Sequence, residues 1–179
     1  MPTPVAHTLA GACVAALASS RLPASRALPV TAALIVAANL PDLDYLALLG
    51  GREAMDRFHQ GVFHSIGFVA AATLPLAALL RPRLGLSRAW LLLAAAGLTH
   101  LLLDLAVVDL KPPVGFPFFW PLSAERFHSP ITLFPGIDRA RVLSAKNLYE
   151  LLAELAWALP TLPVLVPWLR RQMPGASAR

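Results

Sequence analysis

Five apolar segments separated by polar turns dominate this sequence of 179 residues. Most of them approach the roughly 20 residues that an α-helix needs to cross the hydrocarbon core of a bilayer. Every backbone polar group must be satisfied internally within a membrane, which favours helices packed against one another. The segments are residues 5–19, 27–49, 62–80, 89–110 and 148–169. We therefore predict an all-α, polytopic membrane helix bundle of about five helices.

The composition also indicates an integral membrane protein. Hydrophobic residues make up 57% of the chain and charged residues 14%, and the mean hydropathy is +0.63. An ordinary soluble domain is far less apolar. The basic residues lie mostly at the ends of apolar segments and form no basic stripe, which argues against a nucleic acid partner. We expect residues 1–179 to form a single domain surrounded by membrane lipids.

Prolines predict where the helices are interrupted. Pro41, in the second segment, predicts a helix break. The long connection 111–147 is too rich in proline for a regular helix, and its aromatic residues suit the bilayer interface or a wall over a site. Three prolines in the fifth segment predict a kink in its second half. The first six residues lack the positive charge of a secretory signal, so we expect the first helix to be retained.

Loop charges predict the orientation of the chain. If five segments span the bilayer, the connections alternate between two faces. One face then carries eight basic residues and no acidic residue, whereas the other carries seven basic residues and every Asp and Glu. The positive-inside rule places the acid-free face in the cytoplasm. The acidic face, which is also close to most of the histidines, is then expected to be extracytoplasmic.

The fourth segment contains two ionisable residues that should not lie in hydrocarbon. His100 and Asp104 are four residues apart, so a helix presents both side chains on one face, about 6 Å apart along its axis. An ionisable residue inside a membrane helix is costly and is by default a candidate functional residue. A hydrogen bond that only packs two helices together is the alternative for this pair.

Two further pairs fall on the same face of the membrane. Asp42 and Asp44 follow the predicted break, where irregular backbone is tolerated only around a polar cavity. His59 and His64 precede the third segment, and Gly61 between them permits a close turn. Each pair alone also fits a capped turn or an interfacial residue. Their shared face, however, favours a single site.

We predict that these residues form a metal site near one membrane face. Imidazole and carboxylate ligands together suit zinc, with manganese or iron as alternatives, and the number of ligands allows two or more ions. Paired metals stabilise phosphoester hydrolysis and lower the pKa of a bound water. Asp42, Asp44 and His64 are also predicted to act in catalysis, where a carboxylate that binds no metal could be the general base. The predicted ligands are His7, Asp42, Asp44, His59, His64, His100 and Asp104.

Four residues near the same face are candidate substrate contacts. Arg57 and Arg126 could hold a phosphate through paired hydrogen bonds, or could anchor the chain at lipid headgroups. His128 could contact the substrate or the metal. Trp120 belongs to the aromatic stretch that could cover the site.

Four motifs resemble, in the same order, those of the YdjM-type inner-membrane proteins described as metal-dependent hydrolases. They are Leu40-Pro41-Asp42-Leu43-Asp44, His59-Gln60-Gly61 followed by His64-Ser65, Leu98-Thr99-His100 with Asp104, and Gly115-Phe116-Pro117-Phe118-Phe119-Trp120-Pro121. The resemblance extends from His7 to about Pro130 and implies a multi-pass protein of the bacterial inner (plasma) membrane. This chain has Gln60 where the family usually has arginine, and Tyr45 where many members have histidine. The order of ligands is also similar to that of the zinc-dependent phospholipase C and P1 nuclease group, which implies phosphoester hydrolysis at a multinuclear zinc site.

The sequence thus predicts a membrane-embedded, metal-dependent hydrolase, acting on a phosphoester or related bond of a lipid or lipid-linked substrate. Two other functions fit the same residues. A transporter could use buried His and Asp as an ion or proton relay, although its ligands should be distributed through the depth of the membrane. A non-catalytic membrane adaptor could use the metal only to stabilise its fold.

Overall fold

All regular structure in the part of the chain that the computed structural model describes is helical, which confirms the predicted all-α class. The described residues are 2–19, 22–109, 113–138, 141 and 143–172. The α-helices are α1 (Pro4–Ser19), α2 (Ala24–Asn39), α3 (Arg52–Phe58), α4 (Ile66–Leu84), α5 (Leu86–Leu105), α6 (Ala145–Ala158) and α7 (Leu162–Gln172). Two 3₁₀ segments, Leu40–Gly50 and Leu159–Thr161, continue α2 and connect α6 to α7.

Four helical stretches are long and apolar enough to cross a membrane, and α1 is a shorter apolar helix. The four are Ser25–Gly50, Ile66–Leu84, Leu86–Leu105 and Ala145–Gln172. These five stretches correspond to the five predicted segments. Parts of the predicted connection 111–147 and several residues of the charge argument, namely Arg21, Lys111, Arg139 and Arg179, lie outside the described residues.

The helix breaks occur where proline predicted them. Helix α2 ends at Asn39, and the chain continues as a 3₁₀ helix whose first turn contains Pro41. The fifth segment is interrupted at Leu159–Thr161. Helix α4 starts four residues later than predicted, because the Ser65 hydroxyl accepts a hydrogen bond from the Phe68 N–H at 3.1 Å and caps the helix.

The bundle is centred on α1, α2 and α5, with α4 packed on α5 and α7 on α1. Small residues permit this close packing. A Cβ at Gly11 would lie 3.0 Å from the Ile35 Cα, so α1 and α2 are in contact at backbone level. The face of α1 that contains Gly11 also buries His7 and Ala15, one turn away on either side. Helix α1 therefore packs against its neighbours through this face.

A loop covers the end of the bundle where α1 begins and α2 and α5 end. The backbone carbonyls of Phe118 and Trp120 accept hydrogen bonds from the first turn of α4, at 3.0 and 2.9 Å. Phe116 and Phe127 pair through two backbone hydrogen bonds, and the Phe116 side chain is buried. The described residues of the connection before α6, which begins at Ala145, form no helix, as predicted from its prolines. This loop and the ends of three helices enclose the site described next.

Candidate metal centre

Five ionisable side chains converge at this end of the bundle. His7 comes from the first turns of α1, Asp42 from the 3₁₀ segment, His64 from the turn before α4, and His100 and Asp104 from the last turns of α5. They form two overlapping groups that share His100, and within each group the ligand atoms lie within 4.8 Å of one another. These buried His and Asp groups can hold a metal ion.

Three donor atoms form a compact triangle. The His64 Nε2 lies 3.1 Å from the Asp104 Oδ2 and 3.4 Å from the His100 Nε2, and the third edge, between His100 Nε2 and Asp104 Oδ2, is also 3.4 Å. Ligands around a tetrahedral ion with bonds of about 2.0–2.1 Å lie about 3.4 Å apart. The three atoms therefore have the spacing of one face of a tetrahedral zinc site.

A hydrogen bond from the backbone fixes the ring of His100. Its Nδ1 lies 2.9 Å from the Ala38 carbonyl, which can only accept, so Nδ1 carries the proton and Nε2 presents a lone pair to the triangle. In a 3₁₀ turn this carbonyl would pair with the N–H of residue 41, which is a proline and has none. Pro41, at the break after α2, thus leaves the Ala38 carbonyl available to orient the His100 ring.

Several buried polar atoms of the cluster form no hydrogen bond to any described residue. They are both ring nitrogens of His7, both carboxylate oxygens of Asp104, and the Oδ1 of Asp42. They have oppositely charged or ionisable neighbours at ion-pair distances of 3.1–3.7 Å. Buried polar atoms without a partner are costly. A cation bound between them satisfies this donor set, so the residues present fit a divalent metal.

Asp44 and His59 form an outer layer behind His64. The Oδ2 of Asp44 lies 3.2 Å from the His64 Nδ1 and 3.1 Å from the His59 Nδ1, and it accepts a 2.9 Å hydrogen bond from the Gln60 N–H. Gln60 has φ 55, the left-handed conformation, which directs its N–H towards the carboxylate. Asp44 therefore contacts the Nδ1 edge of the His64 ring, whereas the Nε2 on the opposite edge belongs to the triangle.

The electrostatics of His64 favour a cation at this position. Burial lowers the pKa of His64, but the contacts with Asp104 and Asp44 outweigh burial and raise the pKa to about 9. An imidazolium between two carboxylates is stabilised by the same charges that would hold a divalent ion.

A narrow cleft leads from the loop surface to Asp104. Gln60, Asp109, Phe127 and His128 are among the residues that line it. Its volume of about 10 Å³ is near the minimum for one water molecule. The structure thus places His128 at the cleft, and its contact with a substrate or metal stays a prediction.

The other three predicted substrate contacts are not among the residues that line the cleft. The Arg126 guanidinium donates hydrogen bonds to the backbone carbonyls of Gln60, Pro113, Val114 and Gly115, so it joins the loop to the turn that carries His59. Arg57 is exposed, with its guanidinium 5.7 Å from the centre of the Phe58 ring. The Trp120 backbone holds the loop on α4, and the residue is 36% exposed.

The sequence pattern predicts no role for two buried glutamates of α6, Glu150 and Glu154. Glu154 accepts hydrogen bonds from the backbone N–H and the hydroxyl of Thr3, immediately before α1, and so fixes the helix that carries His7. Glu150 accepts one from the Gly136 N–H at 3.0 Å. Their spacing of four residues within an apolar segment was the available signal, but the sequence does not identify their partners.

Comparison with known proteins gives one family. No curated protein and no solved structure matches the chain significantly. The family model described as YdjM inner membrane protein matches residues 1–172. With its apolar helices, the chain is an integral inner membrane protein, and it belongs to the YdjM inner membrane protein family.

Proposed function

We propose that this protein is a membrane-embedded, metal-dependent hydrolase, acting on a phosphoester or related bond of a lipid or lipid-linked substrate. The observation that carries the proposal is the buried triangle of His64, His100 and Asp104, with edges of 3.1–3.4 Å, beside a cleft with room for about one water molecule. A relay through the membrane would distribute its groups along the helices, whereas these lie at one end of the bundle. By the loop charges, this end faces the extracytoplasmic side.

The inner residues have separate roles in this proposal. His64, His100 and Asp104 hold a zinc ion, with manganese or iron as alternatives. Such an ion, when bound, polarises a phosphoryl oxygen and makes a water molecule acidic. Asp42 is the proposed catalytic carboxylate that orients the attacking water, because its side chain is 16% exposed, whereas those of His64, His100 and Asp104 are fully buried.

A lipid or lipid-linked substrate is favoured by the surroundings of the cleft. Phe127 lines the cleft and is 42% exposed, and Phe119, whose ring centre is 5.8 Å from that of Phe127, is also exposed. Aromatic side chains at the end of a membrane bundle suit the interface with the headgroups. A hydrocarbon chain can pack on these rings while a polar headgroup lies at the mouth of the cleft, beside His128 and Gln60.

Chelation and substrate screening test the proposal. We expect the purified full-length protein in detergent to contain bound zinc, manganese or iron and to release product from a panel of phospholipids and lipid phosphates. Chelation should abolish release, and added metal should restore it. Metal-loaded protein that yields no product but moves ions in proteoliposomes would favour the transport function. Metal-loaded protein inactive in both assays, which unfolds on chelation, would indicate an adaptor with a structural metal.

Asp44→Asn tests whether Asp44 positions His64 or binds the metal itself, as the sequence predicted. Because the carboxylate contacts the Nδ1 edge of His64, we expect the variant to bind metal about 10–100-fold more weakly. At saturating metal, its metal content and maximal rate should approach those of the unaltered protein. A metal content that stays low at saturation would identify Asp44 as a direct ligand. Glu125→Gln, at an exposed carboxylate of the loop, is the matched control.

A further inference from the structure

We infer that the cluster binds two divalent cations, with the Asp104 carboxylate between them; this inference rests on the metal site of the proposed function. The two oxygens of Asp104 face different histidines. Its Oδ2 lies 3.1 Å from His64 and 3.4 Å from His100, whereas its Oδ1 lies 3.7 Å from the Nε2 of His7. A carboxylate with donors on both sides can bridge two ions.

The rings of His7 and His100 are oriented for two ions. They are stacked, with centres 3.7 Å apart and planes inclined by only 17°. An imidazole binds a metal close to its ring plane, along the nitrogen lone pair. Two nearly parallel planes at this separation do not meet at a metal–ligand distance, whichever nitrogen of His7 is used. The 3.7 Å between the ring centres is close to the spacing of roughly 3.5–4 Å between the ions of two-metal hydrolytic sites.

The donor set divides between two positions. His100 offers only Nε2, because its Nδ1 is bonded to the Ala38 carbonyl, so it can bind a single ion with His64 and the Oδ2 of Asp104. The other position retains His7 and Asp42, whose ligand atoms lie within 4.8 Å of each other, and the Oδ1 of Asp104, 3.7 Å from the Nε2 of His7. Both nitrogens of the fully buried His7 and the Oδ1 of Asp42 form no hydrogen bond within the described part of the chain. The second position therefore has three donors of its own.

A site with two divalent cations also predicts the charge of the substrate group that binds there. Asp42 and Asp104 are the two carboxylates of the inner set, and they offset only half of the charge of two divalent cations. The remaining positive charge lies in a buried site, where electrostatic attraction is strong. An anionic phosphoryl group is the part of a lipid or lipid-linked substrate that this charge would attract.

Metal counting on the full-length protein tests the inference independently of activity. We expect two zinc ions per chain after loading with zinc and removal of excess, and about one in His7→Ala and in Asp42→Asn. Glu125→Gln should keep two. Loading with manganese should give magnetic coupling between paired ions in the electron paramagnetic resonance spectrum, and His7→Gln should abolish it.

One zinc per chain in the unaltered protein, unchanged in His7→Ala, would overturn the two-ion inference. If that protein still hydrolysed lipid phosphates, the proposed function would stand without it. Two ions per chain with no hydrolysis of any substrate would reject the proposed function and retain the two-ion site. Thermal unfolding of each variant in detergent identifies any loss of metal that results from loss of the fold.

Discussion

Asp104→Asn is expected to lose bound metal and to hydrolyse substrate at least about 10³-fold more slowly, because the contribution of a catalytic metal amounts to several kcal/mol. Asp104 is fully buried and lies within 3.1–3.7 Å of His7, His64 and His100. Asparagine has almost the same size, so the packing of α5 should be kept. The amide, however, carries no charge and directs an N–H₂ group towards nitrogens that should face a cation.

The measurements are elemental analysis and initial rates on the same preparation. Glu125→Gln removes an exposed carboxylate of the loop and should leave both values unchanged. A thermal transition in detergent checks that the Asp104→Asn bundle remains folded. Normal metal content together with a normal rate in a folded variant would show that Asp104 has no part in metal binding, and the proposed site would have to be abandoned.

Most of the bundle was predictable because local rules determine it. Pro41 ends α2 and Leu159–Thr161 interrupts the last segment, as proline chemistry requires. The pair His100 and Asp104 shares a face of α5 because residues four apart on a helix do so. Alternation of spanning segments was then sufficient to bring His7 to the same end of the bundle.

The division of the predicted ligands into two layers could not be derived from spacing. Asp42 and Asp44 are two residues apart in a 3₁₀ segment, and only the three-dimensional path shows that Asp42 approaches His100 whereas Asp44 approaches the outer edge of His64. The stacking of His7 on His100 joins residues 93 positions apart and has no local signature.

The role of Arg126 was equally hidden. An arginine on the site face of the membrane is compatible with a phosphate ligand, a headgroup anchor or a structural clamp. Its hydrogen bonds to the carbonyls of Gln60 and Pro113 join the loop to the turn before α4, and its contact with a phosphate stays a prediction. Such bonds depend on irregular backbone, whose course the sequence does not specify.

Phe116→Ala is expected to lower the free energy of unfolding by about 3–5 kcal/mol, the usual cost of truncating a buried phenylalanine. Phe116 is only 2% exposed, packs with Val69 and Leu101, and has its ring centre 5.7 Å from that of His64. The cavity left behind would loosen the loop directly over the proposed metal site. We therefore also expect bound metal to be removed faster by a chelator.

Phe119→Ala is the matched control, because it truncates the same type of residue three positions further along the loop at a site that is 47% exposed. Its cost should be within about 0.5 kcal/mol, as for most surface substitutions. Unfolding in detergent, followed by circular dichroism, and the rate of zinc transfer to a chromogenic chelator provide the two measurements. Equal stability and equal zinc release in the two variants would mean that the buried aromatic ring neither holds the loop on the bundle nor protects the metal.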